Sequence, residues 1–239
     1  MNDIGCKLFL LLLPDDYKTS TTSILSPKKY FEEYEQEILF NTPSKNSKKD
    51  SEIRRKELCA FVQEELCALC MNHTYELITS KVGSNVLREV YNAFPTVELM
   101  DVMLNTCGAQ KDEDDENDTN NAYYMFEDPK AHLFIKNLFL SECDVKKKKD
   151  TRAYCYSKAV QSMSVSFAAK FYEYFQGQLG NIALASNRGA FVISALCDVE
   201  AVKEQVKKEL QSIKKHLEDI VGEKEKGGHA CLLNCLNEE

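Results

Sequence analysis

The sequence predicts an all-α protein, a stack of degenerate helix pairs forming a curved α-α superhelix. Three observations lead there. The 239 residues include only 9 Gly and 5 Pro, too few for the many tight turns of a sandwich or barrel. No stretch alternates apolar and polar residues with the period of a strand. One pattern also recurs: a small residue opens a short apolar helix that follows another helix. It reads 5-GCKLFLLLL, 83-GSNVLREVY, 131-AHLFIKNLF, 189-GAFVISALC and 228-GHACLLNCL. Helix pairs repeated along a chain bury their faces against their neighbours.

Taken in order, 4-IGCKLFLLLLP-14 reads as a buried helix stopped by Pro14. It has nothing before it to pack on, which predicts that further repeats precede Ile4. The run 8-LFLLLL-13 is too short to span a bilayer and lacks the flanks of a secretory signal. Ser26-Pro27 is a helix start, and the helix runs through 30-YFEEYEQEIL-39. A polar linker, 41–50, follows. Asp50 or Ser51 caps a longer helix whose periodic face is Leu58, Phe61, Val62, Leu66 and Leu69. Helices at 72–80 and 84–93 come next, the second ended by Pro95, and Thr96 caps another at 97–105. Residues 108–123, with 111-KDEDDENDTNN-121 at their centre, form an acidic low-complexity insert. Asp128-Pro129 opens a helix bearing Leu133, Ile135, Leu138 and Phe139. Helical stretches at 151–163 and 165–176 follow a charged loop, Lys146 to Asp150, and Gly177 is a C-cap. Helices at 189–198, 199–220 and 229–236 complete the chain, with Gly222 ending the second.

The net charge of −8 gives no bulk attraction for nucleic acid, yet basic runs stand at Lys48-Lys49, Arg54-Arg55-Lys56 and Lys146 to Lys149. The ten Cys lie on helical patterns and read as reduced, mostly buried, intracellular thiols. Cys67-x-x-Cys70 has zinc spacing but lacks two further ligands, and Cys231, Cys235 and His229 are not tied to it, so core cysteines are the better reading. His73, His132, His216 and His229 are isolated, no nucleophile-and-base set can be assembled, and no phosphate-binding glycine motif is present. No enzyme, cofactor, metal or membrane role is expected. The carboxylates of 112–118 read as a solvated loop.

The segments 83-GSNVLREVY and 189-GAFVISALC resemble the second helix of a Pumilio repeat. More specifically, 44-SKNSKKDSEIRRKEL-58, 130-KAHLFIKNLF-139 and 184-LASNRGAFVISALC-197 resemble the C-terminal region, or CPL domain, of the Puf-A and penguin-like Pumilio proteins. The likeness covers nearly the whole chain; 47-SKKDSEIRRKEL-58 and the Asn187-Arg188-Gly189 turn carry it best. It implies a partial Pumilio-like repeat over 1–40, the linker 41–50, and CPL-type degenerate repeats over 51–239. It further implies binding of RNA (pre-rRNA or mRNA) or DNA with little sequence preference, contact with pre-ribosomal proteins, a nucleolar location, and roles in ribosome biogenesis and translational regulation.

In Pumilio repeats the first and fifth residues after the small one read a base edge and the second stacks on it. Here the units offer Cys6, Lys7 and Leu10; Ser84, Asn85 and Arg88; His132, Leu133 and Lys136; Ala190, Phe191 and Ser194; and His229, Ala230 and Leu233. Leu10, Leu233 and Ala190 cannot hydrogen-bond a base. No base code survives, which favours backbone contact. The expected nucleic-acid-binding residues are Lys48, Lys49, Arg54, Arg55, Lys56, Ser84, Asn85, Arg88, His132, Lys136 and Arg188. For each cation the alternative is a solvated surface charge. For the whole chain the alternative is a helical scaffold for pre-ribosomal proteins.

Overall fold

Helix pairs organise the described residues, with a close backbone approach at Gly83, Gly189 and Gly228. The computed structural model describes residues 7, 9, 10, 13, 32–37, 51–108, 124–142, 163, 166–222 and 227–237. Among them every regular element is helical, and none is long and apolar enough to cross a membrane. Two compact units result: residues 1–99 with 154–163, and residues 100–153 with 164–239.

In the first unit, Leu10 and Leu13 of the N-terminal apolar segment are fully buried. Lys7 Nζ donates to both carboxylate oxygens of Glu35 at 2.9 and 2.6 Å, holding that segment to α1 (Glu33–Gln36). The long α2 (Ser51–Asn72) buries Cys59, Leu66, Cys67 and Cys70. This corrects the expected face. Leu66 is on it, but Leu58 is 46% and Phe61 83% exposed. Two stripes of α2 fit a 3.6-residue period, and the winning one is built from cysteines, which pack as small hydrophobes. A tight turn leads from α3 (Thr74–Thr79) to α4 (Gly83–Ala93), whose Val86, Leu87, Val90 and Tyr91 are fully buried. Thr96 Oγ1 accepts from Leu99 N at 3.1 Å, the expected cap of α5 (Val97–Gly108).

In the second unit, α6 (Tyr124–Glu127) precedes α7 (Ala131–Glu142). The Asp128 carboxylate accepts from Lys130 N and Ala131 N at 2.7 and 2.8 Å, as the sequence predicts for a helix start. Next comes α8 (Phe167–Phe175), capped by Ser166 Oγ and, from α7, by the Glu142 carboxylate on Phe167 N at 2.7 Å. Phe126 meets Phe171 and Phe175 edge-on, and Phe139 meets Phe171 edge-on, with ring centroids 4.9–5.9 Å apart, locking α6, α7 and α8 around one aromatic core. Gly177 follows α8 at φ +81°, the left-handed C-terminal stop.

Helix α9 (Leu179–Ala185) is not among the helices the sequence predicts. Gly180 and Asn181 weaken its local propensity. Its start is held from outside, because the Glu209 carboxylate accepts from Gly177 N and Leu179 N at 3.0 and 3.1 Å. Then come α10 (Asn187–Cys197) and α11 (Lys203–Leu210), a 3₁₀ turn at Gln211–Ile213, and α12 (Lys214–Val221). The single helix expected over 199–220 is therefore broken. Ser212 Oγ donates to Glu209 O at 3.1 Å there, a local bond that competes with the helical ladder. The last helix is α13 (Gly228–Asn237).

Helices α7, α10 and α13 pack side by side, with α10 in the middle, and each is the second member of a pair: α6–α7, α9–α10 and α12–α13. The repeated small residue now has a cause. A Cβ at Gly189 would strike the Ile182 carbonyl oxygen of α9. One at Gly228 would strike Asn187 O of α10 and lie 2.9 Å from Phe191 N, and one at Gly83 would lie 2.9 Å from Leu77 Cα of α3. The glycine lets two backbones touch. The helices expected at 26–39 (beyond α1) and 151–163, the linker 41–50 and the insert after Gly108 fall outside the described residues.

Candidate nucleic-acid interface

The repeat register puts the candidate readers on the first turns of α4, α7, α10 and α13. Most of them face inward. In the first unit Ser84 and Asn85 are half-buried, and Arg88 is 6% exposed. Its guanidinium lies 3.4 Å from the buried Glu89 carboxylate and donates to Asn85 Oδ1 at 3.3 Å. Arg88 is expected among the nucleic-acid-binding residues, with a solvated surface charge as the alternative. Instead a buried counter-charge and an amide hold it inside, which is how a protein tolerates an internal cation.

In the second unit His132 is buried, and its Nδ1–H donates to Asp128 O at 2.8 Å. Burial pushes its pKa below the ordinary value, and the charges of Arg188 and Lys136 push the same way. Lys136 on α7 and Arg188 on α10 thus both act electrostatically on this imidazole. Lys136 is half-buried, with Nζ 5.0 Å from the centre of the Phe191 ring on α10. Arg188 is exposed and donates from Nη1 to the Glu127 carbonyl at the end of α6, at 2.8 Å. Leu133 is 46% exposed one turn before Lys136. The result is a small basic platform with an aromatic floor, fixed at its rim by Asp128, Glu127 and the α7–α10 packing.

The remaining reading positions are spent within the protein. Ala190 is buried; Ser194 Oγ meets Cys235 Sγ of α13 at 3.4 Å; Ala230 is buried; and His229 Nε2 bonds Ala183 O at 3.1 Å. The Asn187-Arg188-Gly189 turn is a joint of the fold. Ser186 Oγ accepts from Gly189 N at 3.0 Å and Asn187 Oδ1 from Gly228 N at 2.6 Å.

Of the N-terminal basic cluster, Arg54 is half-buried and Lys56 exposed on α2; Lys48, Lys49 and the side chain of Arg55 lie outside the described residues, as do Lys146 to Lys149. Both belong to the first unit, whereas His132, Lys136 and Arg188 belong to the second. What the sequence could not reveal is the Lys136–Phe191 contact. The register places both residues, but only packing shows that a fifth position meets the next repeat's second position.

Cys67 and Cys70 are buried, with Cys67 Sγ on Phe94 O at 4.0 Å, as core cysteines should be. Cys231, expected in the core, is exposed, because the buried face of α13 is made by Ala230, Leu232 and Leu236. Among the described residues no group of three His, Cys, Asp or Glu gathers in a way that could hold a metal.

The model of the CPL (NUC119) domain matches residues 21–153. The chain belongs to the CPL domain family. Two solved structures share the fold of this CPL chain. Human Puf-A matches with a TM-score of 0.69 at 23% identity over 97% of this chain and 40% of its own. Human Puf-A in complex with DNA matches with a TM-score of 0.70 at 20% identity over 99% of this chain and 39% of its own. The CPL chain thus spans about two-fifths of the length of those chains. At such identities the likeness establishes the helical-repeat fold. No curated protein sequence matches the chain.

Proposed function

We propose that this chain binds RNA through its phosphates, with little sequence preference, and does so without catalysing a reaction. The observation that carries the reading is the Lys136 ammonium over the Phe191 ring of the neighbouring second helix, with Arg188 exposed on that same helix. The cation–ring contact at a half-exposed site is worth about 0.5–1 kcal/mol, so an arriving phosphate can recruit the ammonium at small cost. The loss of hydrogen-bonding groups at Leu10, Ala190 and Leu233, with Arg88, Ser194 and His229 bonded within the protein, argues against a base-by-base code. That the DNA-bound Puf-A structure shares this fold supports nucleic acid as the ligand class. The family resemblance suggests pre-rRNA or mRNA as the target and the nucleolus as the place, in ribosome biogenesis.

The test is fluorescence anisotropy of the whole chain with a labelled mixed-sequence 20-mer RNA across a salt series. Affinity should fall steeply with salt. Because two phosphate contacts are removed, K136E/R188E should flatten the log–log salt slope by about 1.4. Affinity indifferent to salt, or a slope unchanged in the double variant, refutes the proposal.

A second reading, a scaffold for pre-ribosomal proteins, draws on the net charge of −8 and on the burial of Arg88, His132 and Ser194. It predicts no salt-dependent RNA binding at all in the same titration.

A further inference from the structure

The outer face of α2 carries an order of residues that matches itself. Positions 54, 58, 61 and 65 are spaced four, three and four residues apart, so they form one nearly straight stripe along the helix. The stripe reads cation, apolar, apolar, anion: Arg54, Leu58, Phe61 and Glu65. Phe61 and Glu65 are exposed, Leu58 largely so, and Arg54 is half-buried. No ion pair among the described residues engages Arg54 or Glu65. A phenylalanine left almost wholly in water on a 22-residue helix is a cost that a covering partner removes.

What covers it follows from the charge order. Reversed end to end, the stripe reads anion, apolar, apolar, cation. Two such helices laid antiparallel, about a two-fold axis passing between residues 59 and 60, set Arg54 against Glu65 of the partner subunit and Leu58 against Phe61 of the partner subunit. The symmetry makes each contact twice. Self-complementarity of this kind is what an isologous interface requires and what an unrelated partner does not. Nucleic acid is disfavoured on this face, because Glu57, Glu64 and Glu65 are all exposed close to Phe61.

We propose that α2 is a self-association helix, through which two copies of this chain pair antiparallel using Arg54, Leu58, Phe61 and Glu65. The stripe is about 16 Å long at 1.5 Å per residue. A contact of that length lies at the small end of specific interfaces, so the dimer is reversible, with Kd on the order of 10 μM.

Sedimentation velocity of the whole chain, without nucleic acid, from about 1 to 500 μM brackets that constant. The weight-average sedimentation coefficient should climb from monomer to dimer across the range. F61E, R54E and E65R should each raise Kd by at least about tenfold, because every change strikes the interface twice. The pair R54E/E65R should return Kd to within about threefold of the starting value, since antiparallel pairing restores both bridges with the charges exchanged. Far-UV circular dichroism checks that each variant folds. A chain that stays monomeric at the top concentration overturns the proposal. So does a dimer that F61E leaves intact, or a double variant no tighter than its single parents. A monomer that instead retains a Leu/Lys amphipathic peptide in a Phe61-dependent way assigns the face to a cationic partner and equally overturns self-pairing.

Discussion

Gly189→Ala tests whether the repeated small residue is a packing requirement. Local propensity argues that the change should help, since alanine is better than glycine inside a helix by about 1 kcal/mol. Packing argues the reverse. The new methyl would overlap the Ile182 carbonyl oxygen and lie 3.2 Å from its carbon. Both atoms are backbone, so no rotamer relieves the clash and α10 must lift away from α9. Overpacking of that kind costs about 1–3 kcal/mol. Lifting α10 also stretches the 3.0 Å cap from Gly189 N to Ser186 Oγ, worth about 1 kcal/mol. Taken together the terms give a net loss of about 2 kcal/mol, which lowers Tm by about 4–8 °C for a chain of this size.

Gly180→Ala is the matched control on the preceding helix. Its Cβ would meet only the Ile213 side chain, Cγ2 at 3.1 Å and Cδ1 at 3.9 Å, which can rotate aside. The propensity gain survives there, so Tm should hold or rise by up to about 2 °C. Differential scanning calorimetry of the three proteins decides the matter. If Gly189→Ala is as stable as Gly180→Ala, the joint between α9 and α10 is not a backbone contact, and the explanation of the repeat fails with it.

Three further outcomes follow from single contacts. Glu142→Ala removes the carboxylate that holds the first N–H groups of α8 and should cost about 1–2 kcal/mol in urea denaturation. His132 has a folded pKa below 6.5, so the unfolded chain takes up its proton first as pH falls through that value; stability should decline from there downward, and His132→Gln should remove that part of the slope in melts between pH 7 and 5. Burial pushes the thiols of Cys70, Cys107 and Cys197 up to about 12, whereas Cys231 is exposed; iodoacetamide at pH 8 followed by peptide mass mapping should find Cys231 labelled and the other three protected.

Helix class, pairing and several caps were legible in the residues. Asp128, Thr96 and Gly177 do the work their types announce, because capping depends on a few adjacent atoms. Features set by distant atoms were not legible. Helix α9 depends on Glu209, about 30 residues downstream, and α2 chose its cysteine stripe over the Leu58–Phe61 stripe because of what packs beside it. Arg88 reads as a surface cation until the buried carboxylate of Glu89 is seen beside it. The basic platform is intermediate: register alone places Lys136 and Phe191, while their contact is a product of α7–α10 packing.

The two halves of the repeat pattern have parted company. The small residue that opens each second helix persists where backbones touch, at Gly83, Gly189 and Gly228. The positions that should face a ligand have turned to their neighbours instead. Ser194 contacts Cys235, His229 binds Ala183 O of α9, and Lys136 lies over the next repeat's ring. A reader that bonds the adjacent repeat tightens the stack but cannot discriminate bases. Such a surface can still hold a chain of phosphates, because that needs only cations with free reach at a few points. Lys136 and Arg188 retain that reach: one is held by a contact worth less than a hydrogen bond, and the other is exposed beyond its single carbonyl partner. Erosion of the code and retention of the stack are therefore compatible with one ligand class, provided that it is recognised by its charge and not by its sequence.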